Sequence, residues 1–148
     1  MAKVKEVEIK LYRVREISFS CTEFENGLGK EEIEKNLKIE IGFSFQLSKE
    51  DNEFSVNTLI KYLYKSDEVL KYENQIIFKV KNIDQVIQHQ EDKLNIKDEF
   101  LISLLSVVIG TTRGMMIKNT MGKRINDFLL PILNPKEVLG NIKSSKKE

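Results

Sequence analysis

The segment from Leu37 to Leu47 constrains the fold more than any other part of the chain, because apolar and polar residues alternate along it without interruption. The apolar residues are Leu37, Ile39, Ile41, Phe43, Phe45 and Leu47, and the residues between them are Lys38, Glu40, Gly42, Ser44 and Gln46. A period of two places alternate side chains on opposite faces of a β-strand. The pattern therefore predicts a strand of an antiparallel sheet that is covered on one side only.

Three further strands are predicted around this one. Residues 7–11 and 17–21 alternate in one phase, whereas Tyr12 and Val14 have the opposite phase, which predicts a bulge or strong twist near residues 12–16. Residues 54–64 are rich in β-branched and aromatic side chains and follow a polar turn at 48–52, so a hairpin is expected. Residues 25–36 are predicted to form a loop with one helical turn, and residues 65–74 a polar connection. Residues 76–80 are predicted to form the fourth strand, which could extend towards residue 87.

In the second half of the chain, the spacing of apolar residues is no longer the alternation of a strand. From Phe100 to Ile109, apolar residues occur on nearly every face of a helix, which predicts a helix that is covered on all sides. We expect Asn95 to cap its start and Gly122 to mark its end. A four-stranded sheet can cover only one side of this helix, so a second copy of the chain is expected to cover the other side. The predicted oligomer interface comprises Leu101, Leu105, Val108, Thr112 and Met116.

The length of 148 residues suits a single α+β domain. The predicted layout is an antiparallel sheet to about residue 90, a long helix over residues 95–122, and a connecting loop, short helix and basic tail over residues 123–148. Pro135 suits the first turn of the short helix. The charge-free run from Phe100 to Thr112 has thirteen residues, too few to span a bilayer, and the N-terminus lacks the apolar core of a signal peptide. We therefore expect a cytoplasmic protein without membrane insertion.

Residue counts give little support for catalysis or metal binding. His89 is the only histidine and Cys21 the only cysteine, so a paired zinc site and an intrachain disulfide are not expected. The two glycines of Gly27-Leu28-Gly29 are interpreted as a turn, because no phosphate-binding pattern surrounds them. Net charge is +1, which does not favour nucleic-acid binding. We therefore expect no enzyme activity, no metal and no cofactor.

Several segments, taken in order, resemble the SecB family of export chaperones. Arg15 to Phe19 is similar to the first-strand signature of that family, a basic and an acidic residue followed by aliphatic, Ser and Phe. Residues 37–45, 48–64 and 78–87 occupy the places of its second, third and fourth strands. Arg113 in the long helix, the break at Gly122-Lys123 and Pro131 resemble its C-terminal layout. The resemblance extends from residue 7 to residue 139, nearly the whole chain.

The resemblance implies a chaperone that holds unfolded preproteins without ATP, in hydrophobic grooves on the outside of a dimer or homotetramer, for protein export or targeting. It implies that client-binding residues lie on the second strand and between the helices: Ile39, Ile41, Phe43, Ile125, Phe128, Leu129, Leu130 and Leu133. The well-known export members are acidic and dock on the SecA motor. Docking on SecA is less expected for this near-neutral chain.

Two alternatives stay open beside a general export chaperone. One is a dedicated chaperone of a single partner such as an antitoxin, and the other is an interaction module without chaperone activity. The range of clients would distinguish them. A small-molecule site or enzyme would place polar residues on the inward side of residues 37–47, and the sequence has none there.

Overall fold

A four-stranded antiparallel sheet forms the body of the protein, with the strands in the order β1-β4-β3-β2. The computed structural model describes residues 8–90, 93–128 and 130–145, and within them all side chains except those of residues 88–95 and 143–145. The elements are β1 (Glu8–Cys21), α1 (Lys30–Asn36), β2 (Leu37–Ser48), β3 (Glu53–Tyr64), β4 (Asp67–Lys81), β5 (Ile87–Gln90), β6 (Lys93–Ile96), α2 (Asp98–Asn119) and α3 (Pro135–Ser145). Residue 7, the side chain of His89 and the predicted tail after residue 145 lie outside the described part.

The predicted architecture of a four-stranded antiparallel sheet followed by a long and a short helix is confirmed. Helix α2 packs on one face of the sheet, which we call the inner face. The inner-face side chains of β3 and β4 are almost completely buried; Ile60, Tyr72 and Ile76, for example, have no exposed surface. Burial of this apolar area under α2 is the main source of stability in a domain of this kind.

Strand β1 contains the predicted irregularity and a second one. Its register against β4 shifts between Leu11 and Arg13, and again between Glu16 and Ser18. Each shift reverses the side-chain phase, so Val14 and Phe19 come to lie opposite inner-face residues of β4. Ile17, at the second shift, is 55% exposed instead of sharing a face with Phe19.

The connection predicted over residues 65–74 is wrong, because β4 already begins at Asp67. Lys65 and Ser66 both have positive φ, at 50° and 73°, and form a two-residue hairpin turn between β3 and β4. The polar residues that follow belong to a strand that pairs with β1 and β3 along its length. The helical turn predicted before β2 is a seven-residue helix, α1, whose Ile33 is completely buried.

A short hairpin, β5–β6, separates the sheet from α2 and corrects two predictions. Strand β4 ends at Lys81, because Asn82 adopts a left-handed conformation with φ 61°. Asn95 lies in β6 and does not cap the helix, which begins at Asp98 after Lys97. At the other end, α2 stops at Asn119, three residues before Gly122.

The oligomer interface predicted on α2 faces the chain's own sheet instead of solvent. Leu101, Leu105, Val108, Thr112 and Met116 are between 0% and 6% exposed. The outward face carries exposed Ser103, Ser106, Val107, Gly110 and Gly114. The helix is therefore not apolar all round, because small and hydroxyl residues occupy its outer side.

Helix α2 is also longer than its charge-free run. With 22 residues, it is long and apolar enough to cross a membrane by length and composition alone, unlike the thirteen-residue run considered in the sequence. The core helix of a soluble protein has the same properties, and the inward face of α2 is buried against the sheet.

Candidate functional site

The apolar row of β2 is only half-buried. Ile39, Ile41, Phe43 and Phe45 all retain partial exposure, whereas the polar residues between them are exposed. The difference from β3 and β4 follows from position, because β2 is an edge strand and α2 packs over the middle of the sheet. The sheet thus presents a continuous apolar row that its own helix does not fully cover.

A groove of about 380 Å³ lies between this row and the C-terminal helix α3. Leu139 is 4% exposed and fixes α3 to the core, while Val138 and Ile142 remain half-buried. Seven residues line the groove, and none of the seven is charged: Ile41, Gly42, Phe43, Leu133, Val138, Asn141 and Ile142. A groove with these walls suits an apolar segment of a polypeptide more than a charged ligand.

Directional hydrogen bonds hold the connecting segment, residues 123–134, against the rest of the fold. The Tyr62 hydroxyl donates to the carbonyl of Phe128 at 2.8 Å, and Arg113 Nη2 donates to the carbonyl of Pro131 at 2.7 Å. Arg124 donates to the carbonyls of Glu25 and Leu28. Burial raises the pKa of Tyr62 to about 12. These bonds fix the segment that brings Leu133 to the groove.

The eight predicted client-binding residues divide into groups. Ile41, Phe43 and Leu133 line the groove together. Ile39 and Phe128 are half-buried and pack against the apolar cluster of the core that contains Tyr62 and Tyr72. Ile125 and Leu130 are 3% and 7% exposed and belong to the core, which corrects their prediction as client contacts. Leu129 lies outside the described residues.

Sequence reasoning missed the second wall of the groove. It is formed by Val138, Asn141 and Ile142 of α3, and Gly42 adds an open position on β2. The spacing of Val138, Leu139 and Ile142 gives a helix with one apolar side, which is the signal that could have identified this wall.

A buried polar cluster lies between the sheet and α2, away from the groove. Asn74 Nδ2 donates to Tyr72 Oη at 3.2 Å and to Thr112 Oγ1 at 3.0 Å. All three side chains are almost completely buried, and Asn74 and Thr112 lie along their strand and helix between members of the two apolar clusters of the core. Their hydrogen bonds connect sheet and helix, which is a structural arrangement. Among the described residues, no three His, Cys, Asp or Glu side chains are grouped as metal ligands would be.

Comparison with known proteins gives a distant structural likeness but no sequence match. No family model matches the sequence, and no curated protein matches it. The structure is similar to that of a Mycobacterium tuberculosis SecB-like chaperone, solved in complex with a ChAD peptide from the HigA1 antitoxin. Sequence identity is 12%, the match covers 84% of this chain and 90% of that one, and the TM-score is 0.48.

Proposed function

We propose that this protein is a holding chaperone that binds an unfolded polypeptide segment in the groove between β2 and α3. The observation that carries the proposal is the half-buried apolar row of β2 facing Leu133 and Val138 across an uncharged groove. Burial of client side chains against these walls supplies about 25 cal/mol per Å² of apolar surface. Binding of this kind needs neither nucleotide nor metal.

The walls of the groove favour apolar clients without selecting one sequence. They consist mainly of aliphatic and aromatic carbon, with Asn141 as the one polar side chain among the seven lining residues. Apolar contact has little directional preference, so different side chains can occupy the same space. Unfolded preproteins are the proposed clients, in agreement with the SecB-like pattern of the sequence. Service to a single partner, such as an antitoxin, is the alternative.

The proposal includes self-association. Val107 on the outer side of α2 is 44% exposed, and an added Cβ at Gly110 or Gly114 would meet nothing within 4 Å. Strand β1 also exposes apolar side chains, including Leu11 at 47% and Tyr12 at 48%. A second copy packed on either surface would remove this area from water.

Client range tests the proposal. The purified protein should suppress the aggregation of three unrelated denatured proteins, followed by light scattering without nucleotide. Protection of all three supports a general holding chaperone, and protection of only one points to a dedicated partner. If none is protected at a several-fold excess of the protein, the chaperone proposal is wrong and an interaction module without chaperone activity remains.

A further inference from the structure

The outer edge of β2 is unpaired within the described part of the chain. Strand order places β2 outermost, and its pairing with β3 runs without a register shift from Leu37 opposite Tyr64 to Ser48 opposite Glu53. In an antiparallel ladder, alternate residues of an edge strand direct both backbone N–H and C=O groups away from the neighbouring strand. Strand β2 therefore presents a regular row of donors and acceptors beside the groove.

This edge lacks the usual protection against strand addition. Charged side chains, proline and bulges normally prevent an edge strand from pairing with another chain. Residues 41–48 contain none of these. The charges at the start of β2 belong to Lys38 and Glu40, whose Nζ and Oε1 atoms lie 3.6 Å apart and whose net charge is zero. The opposite edge differs, because β1 has two register shifts and contains Arg13 and Arg15.

Concave surfaces reach β2 from both faces of the sheet at the same position. Gly42 and Phe43 line the groove on the inner face, and they also line a second concavity of about 460 Å³. The second concavity crosses the outer face of the sheet, from Ser44 of β2 through Leu59 of β3 to Glu73 of β4 and Ile17 of β1. A Cβ placed on Gly42 would meet no atom within 4 Å, so the outer face of β2 is open at this point.

We propose that a bound polypeptide adds to the sheet as a fifth strand alongside β2. This inference rests on the proposed function and specifies the client as an extended segment. Successive side chains of an added strand point to opposite faces, so alternate residues enter the groove and the others lie over the outer concavity. The neutral edge at residues 41–48 fits a client segment that is uncharged and has apolar residues at alternate positions.

Peptide N-methylation tests the hydrogen-bonded mode separately from apolar binding. The probe is a fluorescein-labelled peptide of sequence Lys-Ser-Val-Ser-Leu-Ser-Phe-Ser-Lys, measured by fluorescence anisotropy. Two further peptides carry N-methyl groups either on the apolar residues or on the serines between them. We expect methylation of one set to weaken binding about tenfold or more, because it blocks N–H groups directed at β2, and methylation of the other set to have little effect.

Each other outcome has a distinct meaning. Equal affinity of all three peptides overturns strand addition and leaves apolar binding in the groove intact. No binding of the unmethylated peptide overturns both proposals. Amide hydrogen exchange gives an independent readout, since peptide binding should protect alternate amides between Ile39 and Leu47. If the free protein already shows this alternate protection and loses it on dilution, a second copy of the chain pairs with the β2 edge. That result would overturn the proposal.

Discussion

Asn74 on the central strand β4 and Thr112 on helix α2 are joined by a hydrogen bond of 3.0 Å from Nδ2 to Oγ1, and both side chains are buried. The bond lies where the core divides into two apolar clusters. A polar pair in this place fixes the position of α2 on the sheet, because sliding the helix would leave buried donors and acceptors without partners.

Removal of both members of this pair should destabilise the protein by less than the sum of the two single removals. Thr112→Val leaves one Asn74 donor hydrogen unpaired and should lower the free energy of unfolding by about 1–3 kcal/mol. The double variant Asn74→Leu with Thr112→Val should cost less than the sum of the single variants. Urea unfolding of the four proteins gives the coupling energy. Additive effects would show that the bond contributes no coupling.

Alkaline pH should weaken the attachment of the connecting segment through Tyr62. The pKa of Tyr62 is raised from 10.0 to about 12 in the folded protein, so the folded state retains this proton more strongly than the unfolded chain. Its contribution to stability is complete below pH 10 and should be lost as pH rises towards 12. In urea unfolding from pH 8 to pH 11.5, the stability difference between wild type and Tyr62→Phe should shrink as pH rises. A constant difference would contradict this linkage.

Arg113 should support peptide binding in the groove by holding the connecting segment in place. Its bond to the Pro131 carbonyl lies two residues before Leu133. Arg113→Leu should weaken peptide binding several-fold, with a smaller effect from Arg113→Lys, which keeps a donor. Anisotropy titrations measure the affinity, and circular dichroism checks that the helices are retained. Unchanged affinity in Arg113→Leu would mean that the bond does not control the groove.

The outer side of α2 should contribute to self-association. Gly110→Arg places a charged side chain on this exposed surface without an internal clash, and it replaces a residue that disfavours helices. Gly140→Arg on α3 is the matched control, since it is also exposed with open space around it. Sedimentation should show wild type and the control as dimers or larger, and Gly110→Arg shifted towards the monomer. If the wild-type protein sediments only as a monomer of 17.2 kDa at micromolar concentration, self-association is contradicted.

The sequence predicted those features that depend on local periodicity. The alternation from Leu37 to Leu47 identified β2 and its apolar row, and the phase change after Leu11 identified the first bulge. The start of β4 was missed because Asn74 interrupts the inward apolar series of Leu70, Tyr72 and Ile76. The reason for that interruption is the hydrogen bond to Thr112, which is a tertiary contact.

The groove could be predicted only in part for a related reason. One wall comes from β2 and the other from α3, which follows nearly a hundred residues later, so only packing brings Phe43 and Val138 together. Periodicity also does not distinguish a half-buried apolar residue from a fully buried one. Leu133 and Leu130 therefore looked alike in sequence, although one lines the groove and the other lies in the core.

Binding of a permanently unfolded polypeptide tests the central claim most directly. The ligand is a reduced and carboxymethylated protein, titrated calorimetrically into wild type, Phe43→Ser, Leu133→Ser and the control Ile77→Ser. Ile77 is half-buried like Phe43 but lies on the outer face of the sheet, away from the groove. The two groove variants should bind about tenfold more weakly, since each loses apolar contact worth about 1–2 kcal/mol, while the control binds as wild type. Equal binding by all four folded proteins would show that the groove between β2 and α3 does not hold the client.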